Sequence, residues 1–373
     1  MASASPIKAS DVYVPACTVA VGTADRDILT THGLAATAVS VDLALSMSGT
    51  FRFSIPNTFD PERSEFLTKD KDKALDVLLP GARVWIKMGY GDSKAQKLLI
   101  SGYITAVATG FSEGGSPTLE VSGVDSTYLL TLGNKQWHAE KVTVLDMVSK
   151  IASASGLSAQ VEGIAGAPAT LGSNLQTDLA YLGELASEFS TTQQKFEFYA
   201  RASTSGDKLH FGPRQVKSEP VALLTWGVDL LSFEPEITLG EQVSQVVVHG
   251  WDEVAAKEIV GTATREPGGS GGTSGGAALK KAFGKEAVLH LRYPVKTKQE
   301  ADDRAASELA RRAQSYVAGS GETFGLPGLL PDSTVKLKGL GSRFSKIFYV
   351  SKTVHQFDAS GYRTRFTVER TAM

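Results

Sequence analysis

The chain has 373 residues, 42% of them hydrophobic, and a net charge of −2 at pH 7. That length calls for two or three packed units with an ample core, and the near-neutral balance gives no electrostatic case for nucleic acid or an anionic membrane. A single cysteine, Cys17, excludes an intrachain disulfide framework and a multi-thiolate metal site and fits folding in a reducing compartment.

In chain order, the N-terminus lacks a basic segment followed by an apolar run of signal length, so synthesis in the bacterial cytoplasm without a signal peptide is expected. No uncharged apolar stretch reaches about 18 residues, the minimum for a membrane span, so no stable membrane anchoring is expected. The first ~130 residues carry a period of two: Ala16 to Val21, Val39 to Leu45, then Phe51, Phe53 and Ile55. After a charged stretch, Asp60 to Asp76, come Val84 to Met88, Leu98 to Ala108 and Thr118 to Val121, punctuated by Pro80-Gly81 and Gly114-Gly115. The period then changes. Thr143 and Asp146 form a capping-box pattern ahead of Val144, Met147, Val148 and Ile151, and a second helix is expected from Thr177-Asp178 to Phe189. Lys195 to Ala200 and Lys208 to Phe211 read as a hairpin closing this small α/β insert. Strand pattern returns at Leu230 to Ile237 and Val243 to His249. The segment 267–278, PGGSGGTSGGAA, has the composition of a flexible loop. Thr297 and Glu300 cap a helix over 298–317, and the last 50 residues are strands again.

Two strand-rich segments repeat one another. Leu78-Leu79-Pro80, Val84 and Lys87 recur 251 positions later as Leu329-Leu330-Pro331, Val335 and Lys338. Ile100, Tyr103, Val107, Gly114, Leu119 and Val121 then correspond, at 247 positions, to Ile347, Val350, Val354, Gly361, Phe366 and Val368. The expected fold is therefore mainly β (α+β): two duplicated tube-like β-barrel domains with a small α/β insert and one long helix. The boundaries expected are 1–135 for the first barrel, 136–215 for the insert and 216–373 for the second barrel. Two barrels in one chain let a trimer present six near-equivalent units around an axis.

Several stretches resemble the phage late-control gene-D family, which includes contractile-tail hub proteins and the N-terminal part of VgrG-type spikes. They are ISGYITAVATGFSEGGSPTLEVSGVDSTYLL (100–130), the helix Val142 to Leu157, LQTDLAYLGELASEF (175–189), and FGLPGLLPDSTVKLKGLG followed by YVSKTVHQFDASGYRTRFTVER (349–370). Asp332 stands where the family's closing motif has a glycine after the proline. The resemblance implies a homotrimer whose pseudo-six-fold ring joins a hexameric inner tube to a trimeric spike, with other baseplate or tube-initiator proteins as further partners. With Met373 directly after the closing barrel, the spike is expected on a separate polypeptide.

No catalytic, cofactor or metal site is expected. Gly-x-Ser-x-Gly matches centred on Ser270 and Ser274 lack the strand that a nucleophile elbow needs before the serine. His32, His138, His210, His249, His290 and His355 show no metal-ligand spacing, and His355, in the closing motif, is expected to satisfy strand-edge or turn groups. Asp70, Asp72 and Asp76 alternate with lysines and read as solvated surface. The leading expectation is a structural hub of a contractile tail or injection baseplate. The alternative is a phage-derived cell-wall glycan hydrolase or a carbohydrate- or receptor-binding tail module.

Overall fold

In the computed structural model, residues 14–91, 95–111, 113–163, 168–188, 195–216, 218–252, 255–264 and 272–373 are described. The first unit contains β1 (Pro15–Val21), α1 (Ile28–His32), β2 (Thr37–Ala44), β3 (Thr50–Ile55), a ribbon of β4 (Phe59–Asp60) and β5 (Glu65–Phe66), α2 (Ala74–Val77), β6 (Arg83–Tyr90), β7 (Lys97–Gly110) and β8 (Thr118–Asp125). Its strands run in the order β1-β6-β7-β8-β3-β2. Alternation decides which face is buried: Phe51, Phe53 and Ile55 of β3 point inward while Thr50 and Arg52 are exposed. Val19 on β1 and Val41 on β2 come from opposite edges of this sheet yet share one core. The sheet is therefore rolled, as expected of a barrel-like unit.

An insert follows: β9 (His138–Val142), α3 (Val144–Ala154), β10 (Ser158–Val161), β11 (Ala169–Gly172), α4 (Asp178–Glu188), β12 (Phe196–Arg201) and β13 (Lys208–Pro213). The expected capping box closes α3, with Thr143 and Asp146 each bonded to the other's backbone. Met147, Val148 and Ile151 of α3 meet Leu182 and Leu185 of α4, and Phe198 and Phe211 of the β12–β13 hairpin, in a second core.

β14 (Ala222–Thr225) and β15 (Leu230–Ile237) open the second unit. Before it continues, β16 (Gln245–Asp252), β17 (Lys257–Ala263) and β18 (Val288–Arg292) form a separate three-stranded sheet in the order β17-β16-β18. α5 (Gly275–Phe283) sets Ala278 against the core of the second unit, whereas with α6 (Lys298–Gln314) this layer makes a core of its own, in which Val246 and Val248 pack under Ala301, Ala305 and Leu309. α6 lies close to β17 because Gly261 leaves room: a Cβ there would meet the Ala301 carbonyl carbon at 2.2 Å. The second unit then resumes with β19 (Val317–Phe324), β20 (Ser333–Lys338), α7 (Gly341–Phe344), β21 (Ile347–Asp358) and β22 (Gly361–Arg370), in the order β14-β20-β21-β22-β19-β15.

Five strands of each unit share one order and one antiparallel pattern, so the duplication extends beyond the repeated segments; the outermost strand differs, because β1 runs antiparallel to β6 whereas β14 runs parallel to β20. Its phase differs from the sequence alignment in one part. β7 bulges between Ile104 and Ala106, and β21 bulges between Val350 and Lys352. Aligned bulge on bulge, Tyr103 matches Tyr349 rather than Val350. Across the next pairing Gly123 matches Val368 and Val121 matches Phe366, so the expected matches of Val121 with Val368 and Leu119 with Phe366 are two residues out. Side chains on paired strands alternate with a period of two, so matching apolar positions alone leaves a slip of two residues between strands undetected. The earlier match holds: Gly81 N–H donates to Ile104 O at 2.7 Å, and Asp332 N–H donates to Val350 O at 3.0 Å.

Of the glycine-rich run expected to be a flexible loop over 267–278, residues 267–271 lie outside the described residues, and 272–278 are folded into α5 and its cap. Ser274 caps α5 by accepting from Ala277 N–H, and Thr273 and Met373 exchange backbone hydrogen bonds at 2.8 and 3.0 Å. Gly275 and Gly276 are buried; a Cβ on Gly276 would stand 2.5 Å from Val243 O. There glycine serves close backbone approach rather than freedom of movement.

Candidate assembly surfaces and the junction between units

β2, the last strand of the first unit, pairs with β21 of the second, so twelve strands form one sheet. The seam runs from Val39 opposite Phe357 to Ala44 opposite Lys352, is extended by Leu45 N–H donating to Ser351 O, and carries a 2.7 Å ion pair between Lys352 and Asp42. Under it His355 is fully buried. Its Nε2 lies 3.1 Å from the Leu329 carbonyl, and its Nδ1 lies 2.8 Å from the Tyr362 hydroxyl and 3.2 Å from Thr364 Oγ1. Burial pushes the imidazole down to about 4. A neutral ring donating at Nε2 and accepting at Nδ1 satisfies this arrangement.

The insert locks onto both units beside the seam. Asp332 accepts from Tyr349 Oη at 2.9 Å, Tyr199 Oη at 3.2 Å and Gln215 N–H at 2.9 Å. Arg214 reaches Glu197 at 2.6 Å and Glu369 at 2.8 Å, with its guanidinium 4.8 Å above the Tyr349 ring. Burial opposes ionisation of Glu197, but Arg214, Lys195 and the Ser46 hydroxyl hold its carboxyl below the usual range. On the other side Asp207 takes Arg83 at 3.0 Å, Ser203 N–H at 2.9 Å, and the hydroxyls of Ser101 and Ser126. Between these anchors lies a cavity of about 420 Å³, lined by Leu43, Asp125, Tyr199, Arg201, Leu330 and Asp332 among others. Burial raises Asp125 to about 6, against hydrogen bonds from Thr127 and Gly49.

The remaining sequence candidates are dispersed. Ser270 lies outside the described residues, and the Ser274 hydroxyl is engaged as a helix cap. Asp70, Asp72 and Asp76 are all exposed. His249 and His290, 41 residues apart, meet across the β16–β18 pairing with 3.0 Å between Nε2 and Nδ1, and Glu258 lies 2.7 Å from His249. Sequence spacing held this pair apart. Even so, among the described residues no group of three or more His, Cys, Asp or Glu side chains is arranged to hold a metal ion. His210 is buried 4.6 Å from the Tyr199 ring, with neither ring nitrogen hydrogen-bonded. Among the described residues, no helix is long and apolar enough to cross a membrane. Asp207, Glu197 and Arg214 were missed in the sequence because each is a single charged residue outside any motif; Asp332 was flagged there only as a departure.

Solved structures of phage tail proteins share this mainly antiparallel fold. The prophage MuSo2 43 kDa tail protein of Shewanella oneidensis superposes with a TM-score of 0.71 at 14% identity, covering 96% of this chain and 98% of that one. A tail protein from Neisseria meningitidis MC58 gives 0.69 at 16% identity, covering 96% and 97%. The Escherichia coli c3393 protein, a type VI secretion component, gives 0.57 at 13% identity, covering 94% and 76%. The family described as the Alg8 N-terminal domain matches residues 59–359, and the chain belongs to it. That description is not the gene-D family to which the sequence motifs pointed. No curated protein matches the sequence.

Proposed function

We propose that the protein is a structural hub of a phage-tail or injection-system baseplate, acting as a homotrimer that adapts a six-fold inner tube to a three-fold spike. The observation that carries this reading is the β2–β21 seam: two like units already stand side by side with their sheets continuous. Three such chains supply six units, which is what matching three-fold to six-fold symmetry requires. In this reading residues 1–135 and 216–373 are the two tube-like domains, and 136–215 is the insert bracing them. The tail-protein fold supports the assignment, and the charged anchors around Asp332, Asp207 and Glu197 suit a part that carries load rather than one that turns over substrate. Partners would be the hexameric tube protein, the spike and neighbouring baseplate proteins, and the protein would reside in the assembled particle.

The test is the mass and symmetry of the purified protein, by light scattering and averaged electron micrographs. A three-fold ring with six lobes and a central channel is expected. A monodisperse monomer at all accessible concentrations would overturn the trimeric hub.

A further inference from the structure

We propose that the exposed edge of β15 pairs, antiparallel, with the distal half of β7 of a second copy of this chain, in the register that β2 and β21 already adopt within one chain. The inference rests on the trimeric reading and adds the surface and the register. Its basis is a mismatch between the units. In the second unit, β20 pairs with β21 only as far as Val350, and the stretch beyond, Lys352 to Phe357, is taken up by β2. In the first unit, β6 pairs with β7 as far as Tyr103, Ala82 takes the Ile104 amide, and then the pairing stops. Among the described residues no strand takes up Ala106 to Gly110 on that side. The consequence is visible in burial: Thr353 and His355 are buried, while Ala106, Ala108, Thr109 and Gly110 are exposed.

β15 has the complementary vacancy. It holds in the second unit the place of β2 in the first, yet it ends the strand order with β19 as its sole strand neighbour among the described residues, apart from an isolated bridge between Leu230 at its start and Trp226. Cross-strand tracks set the correspondence. Gly123, Phe51 and Val41 lie in line across β8, β3 and β2, as Val368, Gly319 and Pro235 do across β22, β19 and β15. Val41 faces His355. With the two bulges aligned, His355 corresponds to Thr109. The inter-chain partners are therefore Pro235 with Thr109, Glu236 with Ala108, and Ile237 with Val107.

The side chains fit this ladder. Ile237 takes the place of Leu43 and is 41% exposed in the single chain. Glu234 and Glu236 would face Gly110 and Ala108, which leave them room and bring no like charge. Thr238 N–H points inward to Tyr316 O, so the main-chain groups of Ile237 and Phe233 point outward. Pro235 also faces outward and has no N–H to give. One ladder bond is lost there, and the same proline deters pairing with arbitrary strands. The contact is head-to-tail, β15 of one copy on β7 of the next, and it closes into a ring only if its rotation matches that of the internal seam.

The test uses the full chain with Cys17→Ala as background. Glu236 N–H points toward β19, so Glu236 and Ala108 would form a non-hydrogen-bonded pair with Cα atoms about 4.5 Å apart, within disulfide range. Oxidised Glu236→Cys/Ala108→Cys protein is expected to run as covalent dimers and trimers that thiol reductant dissolves. An equimolar mixture of the two single variants should stop at dimers. Glu236→Cys/Ala106→Cys, a diagonal pair, should cross-link at least about tenfold less. Light scattering on the same samples separates the two ideas. A trimer without the 236–108 disulfide overturns the register and leaves the hub reading standing. A monomer without it overturns both, and a disulfide closed within one chain overturns the inter-chain pairing.

Discussion

Asp332 occupies in the second unit the position that Gly81 holds in the first, and both backbones are left-handed, with φ of 63° and 93°. Glycine adopts that conformation freely, whereas an L-residue spends about 1–2 kcal/mol on it. The second unit keeps the costlier residue because its carboxylate gathers Tyr349, Tyr199 and Gln215, three groups from two parts of the molecule. Hydrogen bonds to a charged acceptor contribute about 1.5–3 kcal/mol each. Asp332→Gly should therefore destabilise the protein by about 2 kcal/mol or more despite relaxing the backbone, and Asp332→Asn by less. Gly81→Ala, with nothing within 4 Å of the new Cβ, should cost about 1 kcal/mol through φ alone. Urea unfolding of the three variants checks this; a neutral Asp332→Gly would refute the latch.

How much of this was legible in the sequence depended on the kind of signal. Alternation at Phe51, Phe53 and Ile55, and the cap at Thr143, are local, and they located elements correctly. The glycines at 275 and 276 were ambiguous, since composition cannot distinguish a free loop from close packing on Val243 and Gln242. Val246 and Val248 alternate like barrel residues, so the separate β16–β18 sheet was merged with the second unit. The β2–β21 seam and the ion cluster at Glu197 depend on pairing over distances that no local pattern encodes.

His355 predicts an acid sensitivity. Its folded pKa, about 4, lies below the ordinary 6.5, so the fold favours the neutral ring. That contribution is complete above pH 6.5 and is lost as pH falls toward 4, on the order of 3 kcal/mol in all. Asp125, raised to about 6, contributes with the opposite sign: its stabilisation is present below about pH 4 and lost as pH rises through 6. The net profile of the wild type is thus partly cancelled, and the comparison must be between variants. Between pH 7 and 4.5, unfolding free energy should fall more steeply in wild type than in His355→Gln. Parallel profiles would mean that His355 does not titrate between these states.

Gly261→Ala tests the α6 layer. The added Cβ would lie 2.2 Å from the Ala301 carbonyl carbon and 2.4 Å from the Asp302 nitrogen, both backbone atoms that cannot swing aside. Overpacking of this kind costs about 1–3 kcal/mol. Because this layer has its own core, hydrogen exchange should accelerate in β16, β17 and α6 while the Phe53 and Val121 strands keep their protection. Uniform acceleration through both rolled units would show instead that the layer unfolds only together with them.

The last prediction concerns Arg214, whose guanidinium is the cationic centre between Glu197 and Glu369. Glu197 is almost fully buried, with Lys195 at 3.2 Å as its other cation. Removing one partner of a buried ion pair costs about 3–5 kcal/mol, largely because the remaining charge is stranded. Arg214→Met should approach that loss, softened by Lys195, and should raise the Glu197 pKa, so that the variant loses less stability than wild type on acidification. Adding Glu197→Gln should recover part of the deficit, since the neutral amide needs no counter-charge. If the double variant is less stable than Arg214→Met alone, Lys195 and the Ser46 hydroxyl already suffice for Glu197. Arg214 would then act chiefly through Glu369 and the Tyr349 ring, binding the insert to β21 and β22 rather than neutralising the carboxylate beneath it.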